Sequence, residues 1–124
     1  MNIDTENDYY VIGYPNEFGQ AVLNIINNAK DALIEQDLKD KHINITIKKE
    51  GDNVLIIISD NAGGIPENII DKIFDPYFST KEDKNGTGLG LYMTKTIIEE
   101  HMDAKISVEN SNKGAMFKIV LCLI

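Results

Sequence analysis

Basic residues are scarce in this sequence: 12 Lys and Arg stand against 20 Asp and Glu in 124 residues, a formal net charge of −8. That deficit argues against nucleic acid or an anionic membrane as a partner, since both need clustered cations. Cysteine is nearly absent. Cys122 forms no internal disulfide and has no Cys or His neighbour at metal-ligand spacing. It ends an apolar strand-like run, so a small buried core residue is expected there. Long hydrophobic runs are missing as well; Val54–Ile58 and Ile119–Ile124 are far too short to span a bilayer. Met1 is followed by acidic and polar residues, so no secretion signal is expected and a reducing cytoplasmic compartment follows by default. What remains, 43% hydrophobic and 26% charged residues, suits one compact domain over 1–124.

Residues 1–8 are polar and expected to fray, ahead of a short extended piece at 9–12. Pro15 then opens a long helix. Phe18, Val22, Ile25, Ile26, Ala29 and Leu33 recur every three or four residues, one apolar stripe through about residue 38. Ile43, Ile45 and Ile47 alternate with polar residues, the period of a half-buried strand. A Gly51-Asp52-Asn53 turn joins it to Val54–Ile58, whose unbroken apolar run predicts a central strand covered on both faces. A short helix is expected over about 67–73, a long loop over 75–90 and a second long helix over about 91–102. Strands near 105–109 and 115–121 complete the order β-α-β-β-α-loop-α-β-β. This order predicts an α/β (α+β) two-layer sandwich, helices on one face of a mixed, mostly antiparallel sheet.

Four segments break the pattern. Asn24, Asn28 and Asp31 share one face of the first helix. Spacing alone admits a solvated face, the commoner cause, or carboxamide ligands for a hard cation such as Mg²⁺. Asp60-Asn61-Ala62-Gly63-Gly64-Ile65-Pro66 follows directly from the apolar strand. It reads as a simple turn, or as an acid at a rim beside glycines that let backbone approach a flat ligand. Gly86-Thr87-Gly88-Leu89-Gly90-Leu91 runs into a helix, as a flexible loop or as a phosphate cradle. It fits neither a Walker loop nor a Rossmann fingerprint. Between these lies Ile73–Lys81, whose Phe74, Tyr77 and Phe78 are expected to anchor a loop carrying Lys81 and Lys84, each a phosphate contact or a solvated charge.

In this order the segments resemble the catalytic, ATP-binding domain of bacterial sensor histidine kinases, in the GHKL superfamily. Gln20–Ala32 resembles the N box, Asp60–Pro66 the first glycine box, Ile73–Lys81 the F box and Gly86–Leu91 the second glycine box. Gly114-Ala115-Met116-Phe117 sits where the family has a last, weaker glycine motif. The resemblance implies the Bergerat fold, with ATP and Mg²⁺ as ligands. By family position Asn28 would ligate Mg²⁺, supported by Asn24, and Asp60 would accept from the adenine amino group with Gly64 behind the base. Ala62, Ile65, Asp31, Phe74 and Phe117 would join the nucleotide site. Gly86, Thr87, Gly88, Leu89, Gly90 and Leu91 would shape its phosphate end, and Lys81 would neutralise phosphate. Asn24, Asn28 and Lys81 are thereby the candidate catalytic residues.

Three positions depart from the family pattern. Ala62 replaces the first glycine of its box. Asp31-Ala32 follows the N box where many sensor kinases have Lys-Tyr, a form similar to the nitrogen-regulator-type kinases. Ala115 stands for a usual threonine. Hydrolysing members of the superfamily place a glutamate at the Asn24 position; an amide cannot take a proton from water, which points to a kinase. Neither His42 nor His101 carries the acid and proline of the phosphoacceptor motif, so each is expected at the surface or as a cap. The acceptor is then expected on a dimerisation domain of the same kinase, absent from this chain together with any sensor domain, with a response regulator as indirect partner. The parent kinase is either soluble or membrane-anchored. Two rivals are a stand-alone Ser/Thr kinase of the anti-sigma type and a non-catalytic nucleotide-binding docking module.

Overall fold

The computed structural model describes residues 2–5, 10–11, 13–35, 40–76 and 90–123. Among the described residues five strands form one sheet: β1 (Asn2–Thr5), β2 (Ile43–Glu50), β3 (Asn53–Asp60), β4 (Lys105–Asn110) and β5 (Ala115–Cys122), in the spatial order β1-β2-β3-β5-β4. Only β1 runs parallel to its neighbour; the remaining pairs are antiparallel. Two helices complete the layer, α1 (Pro15–Glu35) and α2 (Gly90–Thr96), the second continuing as a π-helical turn over Ile97–His101. Helix α1 packs on β2 and β3, α2 lies along α1, and the π turn rests against α1 and β4. The mixed two-layer sandwich is therefore present in the expected order.

Alternation fixes which face carries the core. The β2–β3 hairpin turns at Gly51, whose φ of 64° suits the first central position of a type II′ turn, and pairs Glu50 with Asn53. That register aligns Ile45 with Ile58, Ile58 with Phe117 and Phe117 with Val108; one row along, Ile47, Ile56, Ile119 and Ile106 align. Ala21 and Ile25 of α1 and Ile97 and Ile98 of the π turn close over these rows. Phe117, Ile25, Ile58, Ile98 and Ile119 are each under 2% exposed. Removing the side chain of any of them is expected to cost about 2–5 kcal/mol through lost burial and a residual cavity.

The structure corrects several expectations. The first strand is Asn2–Thr5, inside the segment expected to fray, and Tyr10 and Val11 lie outside any strand. Cover over the β3 run is uneven: Val54, Ile56 and Ile58 are buried on the core face, while on the other face Leu55 is buried and Ile57 and Ser59 are half-buried beside Lys118 and Met116. An unbroken apolar run arises here from an inward set, Val54, Ile56 and Ile58, interleaved with an outward set of similar residues. The expected helix at 67–73 is reduced to a 3₁₀ turn at Ile70–Lys72, because Ile69 offers no side-chain cap and the bonds restart from the Pro66 carbonyl. Cys122 is exposed, since β5 buries Ala115, Phe117, Ile119 and Leu121 and its next position of opposite parity turns outward. Helix α1 is described to Glu35, and its expected extension to 38 lies outside the described residues. No helix among the described residues is long and apolar enough to cross a membrane.

Candidate functional site

Asp60 is the last residue of β3 and shares the inward parity of Val54, Ile56 and Ile58, which sets a carboxylate at the end of the covered face. It is 7% exposed. Its Oδ1 accepts from the Ala62 N–H at 2.9 Å and from the Ala115 N–H at 3.3 Å. A carboxylate offers about four acceptor positions. Two backbone donors therefore hold Oδ1 and orient the group, and among the described residues no donor reaches Oδ2.

Close approach of β5 makes this possible. A Cβ on Gly114 would stand 2.2 Å from the Asp60 carbonyl oxygen and 2.6 Å from Oδ1, so only glycine fits. The segment after Asp60 is strapped to the same β4–β5 hairpin. Gly63 N–H donates to the Lys113 carbonyl at 3.0 Å, and the turn itself is pinned by Ser111, whose Oγ donates to the Gly114 carbonyl at 3.0 Å. Gly63 and Gly64 have φ of 92° and 86°, left-handed values that favour glycine. Ala62 occupies a position needing no positive φ and is buried, so its departure from the glycine pattern is accommodated. Asn61 faces away: its Oδ1 accepts from the His42 N–H at 2.8 Å and its Nδ2 donates to the Asp40 carbonyl at 2.7 Å.

Helix α1 supplies the second part. Asn24, Asn28 and Asp31 are half-buried on the face between the core stripe of Ala21, Ile25 and Ala29 and the exposed stripe of Leu23, Asn27 and Lys30. Asn24 Nδ2 donates to the Gly90 carbonyl at 3.2 Å, and Asn24 Oδ1 accepts from Gln20 Nε2 at 3.0 Å. The same Gly90 carbonyl accepts from Thr94 Oγ1 at 3.0 Å, and Thr94, fully buried, also reaches the Ala21 carbonyl at 3.4 Å. The N box and the end of the second glycine box thus meet at one backbone oxygen. Among the described residues no group of three His, Cys, Asp or Glu side chains is placed to hold a metal. A cation bound here would take carboxamide oxygens from Asn28 and Asn24 together with ligand oxygens, a donor set that suits Mg²⁺.

Phe74 supplies the third part. It is half-buried, meets Phe117 edge-to-face with centroids 6.1 Å apart, and lies 5.6 Å beneath Lys95 Nζ. Phe117 is 1% exposed, a core residue that supports Phe74 from below and presents no surface of its own. Ile65 and Leu91 are half-buried against the same core. Lys81, Gly86, Thr87, Gly88 and Leu89, with Tyr77, Phe78 and Lys84, lie outside the described residues. Of the two histidines, His42 is exposed before β2. His101 sits at the end of the π turn, where Nδ1 lies 2.5 Å from Glu17 Oε1.

Sequence reasoning missed Thr94, Asn110 and the steric demand at Gly114. Asn110 accepts from the Ile65 N–H at 2.8 Å and donates to the Ile65 carbonyl at 2.7 Å. In sequence it is one polar residue before a Ser-Asn-Lys-Gly turn and carries no signal of its own.

Comparison with known proteins agrees with this fold. Residues 13–123 match the family of histidine kinase-, DNA gyrase B- and HSP90-like ATPases. Sporulation kinase B of Bacillus subtilis is 37% identical over 122 residues, which cover 98% of this chain and 27% of that protein. Sensor histidine kinase ZraS of Salmonella typhimurium is 39% identical over 111 residues, 89% of this chain and 23% of its own length. The chain thus spans about a quarter of these relatives. The nucleotide-free catalytic domain of histidine kinase ThkA superposes with a TM-score of 0.84 at 31% identity, covering 98% of this chain and 76% of that one. ThkA is also known in complex with the response regulator protein TrrA, where the TM-score is 0.78 at 28% identity over 99% of this chain and 34% of that one. This chain belongs to the histidine kinase-, DNA gyrase B- and HSP90-like ATPase family, as a catalytic domain of the sensor histidine kinase type.

Proposed function

We propose that this domain binds ATP with Mg²⁺ and transfers the γ-phosphoryl group to a histidine on a dimerisation domain of the same kinase, in a cytoplasmic two-component pathway that ends on a response regulator. The observation that carries the reading is the Asp60 carboxylate, buried, oriented by two backbone N–H groups and left with one oxygen for a ligand donor. An adenine amino group matches that acceptor. Gly63 and Gly64 give the base a side-chain-free wall, and Asn28 with Asn24 would hold Mg²⁺. Bound Mg²⁺ supplies charge neutralisation and orientation of the phosphates.

The remaining steps belong to the chain's own groups. Asn24 is an amide engaged with Gln20 and Gly90, so it offers no base to a water molecule. A neutral imidazole needs none: its nitrogen lone pair forms the N–P bond as the bond to the ADP oxygen breaks. By family position Lys81, which lies outside the described residues, would steady the phosphate charge. The ThkA complex with its response regulator supports the downstream partner.

Radiolabelled ATP, this domain and the cognate dimerisation domain in trans test the proposal. Acid-labile, base-stable phosphate on the dimerisation domain is the expected product, with little turnover by this domain alone. Acid-stable phosphoserine on a partner protein would favour the anti-sigma-type kinase, and absence of Mg²⁺-dependent nucleotide binding the docking module.

A further inference from the structure

The wall beside Asp60 is held by a residue outside all the motifs. Asn110, the last residue of β4, is half-buried and directs both functional groups of its carboxamide at one backbone unit. Oδ1 accepts from the Ile65 N–H at 2.8 Å and Nδ2 donates to the Ile65 carbonyl at 2.7 Å. The reversed amide would oppose donor to donor and acceptor to acceptor, so the pairing itself fixes the orientation. The fit extends to the preceding residue: a Cβ on Gly64 would stand 2.8 Å from Asn110 Oδ1 and 3.2 Å from Cγ. Gly64 is thus required twice, by its φ of 86° and by the side chain that closes over it.

Asn110 acts in concert with its hairpin. It pairs in register with Ala115, whose N–H holds Asp60 Oδ1, and the Lys113 carbonyl between them receives the Gly63 N–H. One hairpin therefore sets both the carboxylate and the glycine backbone beside it. Among the described residues Asn110 supplies the side-chain hydrogen bonds to Ile65, in a stretch where two glycines allow many backbone conformations. We infer that Asn110 is a positioning residue for nucleotide, a side-chain clamp that presets the Gly63-Gly64-Ile65 wall against which the base lies. The inference rests on the reading of Asp60 as the adenine acceptor.

Three variants of the full chain test it: Asn110→Ala, Asn110→Asp, which keeps the shape and the acceptor but loses the donor, and Asp60→Ala. Affinity is read with a fluorescent ATP analogue and Mg²⁺, and local order by amide hydrogen exchange at Ile65, Ile58 and Ile119. Asn110→Ala is expected to weaken binding about tenfold and to speed exchange at Ile65 while Ile58 and Ile119 stay protected; Asn110→Asp, which sets a carboxylate oxygen against the Ile65 carbonyl, should weaken binding at least as much. The inference is overturned if Asp60→Ala loses binding while Asn110→Ala changes affinity less than twofold. It is equally overturned if exchange at Ile58 and Ile119 rises with that at Ile65, which would make Asn110 a general stabiliser. Unchanged binding in Asp60→Ala would instead remove the adenine reading on which the inference stands.

Discussion

Gly114 shows what a single residue does here. Its missing side chain lets β5 approach the end of β3 closely enough for the Ala115 N–H to reach the Asp60 carboxylate. Gly114→Ala puts a carbon 2.2 Å from a backbone oxygen, which a rotamer change cannot relieve. The variant is expected to lose roughly 1–3 kcal/mol of stability, read as a lower urea midpoint, and to weaken nucleotide binding with it. An unchanged midpoint would show that the hairpin yields freely. Asp103 is the opposite case: it ends the second helix with a φ of 51°, and the Ala104 N–H returns to the Ile98 carbonyl past it. Asp103→Gly removes the left-handed strain and is expected to raise stability by about 0.5–1 kcal/mol, seen as a higher melting temperature.

Elements meet the site through their ends. Asp60 closes β3, Asn110 closes β4 and Gly90 opens α2; α1 is the exception, since Asn24 reaches the Gly90 carbonyl from its middle. Thr94 belongs to this scale, since its buried hydroxyl ties α2 to itself at Gly90 and to α1 at Ala21. Thr94→Val keeps the volume and removes the donor, so a loss of about 1 kcal/mol is expected by denaturant titration, with Thr94→Ser recovering part of it. Helix α1, the β2–β3 hairpin and the order of strands were legible in the sequence because their apolar spacing runs over many residues and Gly51 marks the turn. Asp60 and the paired glycines were legible because they interrupt that spacing. Asn110 and Thr94 were not, since each is a single polar residue whose role is set by a partner more than forty positions away. The exposure of Cys122 was hidden by composition: an apolar residue reads alike whichever way the strand turns it.

At the scale of the molecule, a net charge of −8 is compatible with the nucleotide site proposed above, because the groups assigned to it act locally: the Asp60 carboxylate and the carboxamides of Asn24 and Asn28. The global charge speaks against nucleic acid and leaves a single Mg²⁺-bound nucleotide untouched. One sheet face, covered by α1 and the π turn, carries the core and ends in Asp60, so stability and binding share the same rows of side chains. Phe117→Ala is accordingly expected to cost about 3–5 kcal/mol and to release Phe74, a double effect that thermal melting and nucleotide titration would read together. The most direct measurement is calorimetric titration of ATP with and without Mg²⁺ into wild type and Asp60→Ala. Wild type should bind in a Mg²⁺-dependent manner, and Asp60→Ala should bind roughly ten- to a hundredfold more weakly through loss of one charge-assisted hydrogen bond. Equal affinity of the two proteins for ATP would contradict a nucleotide site built on Asp60.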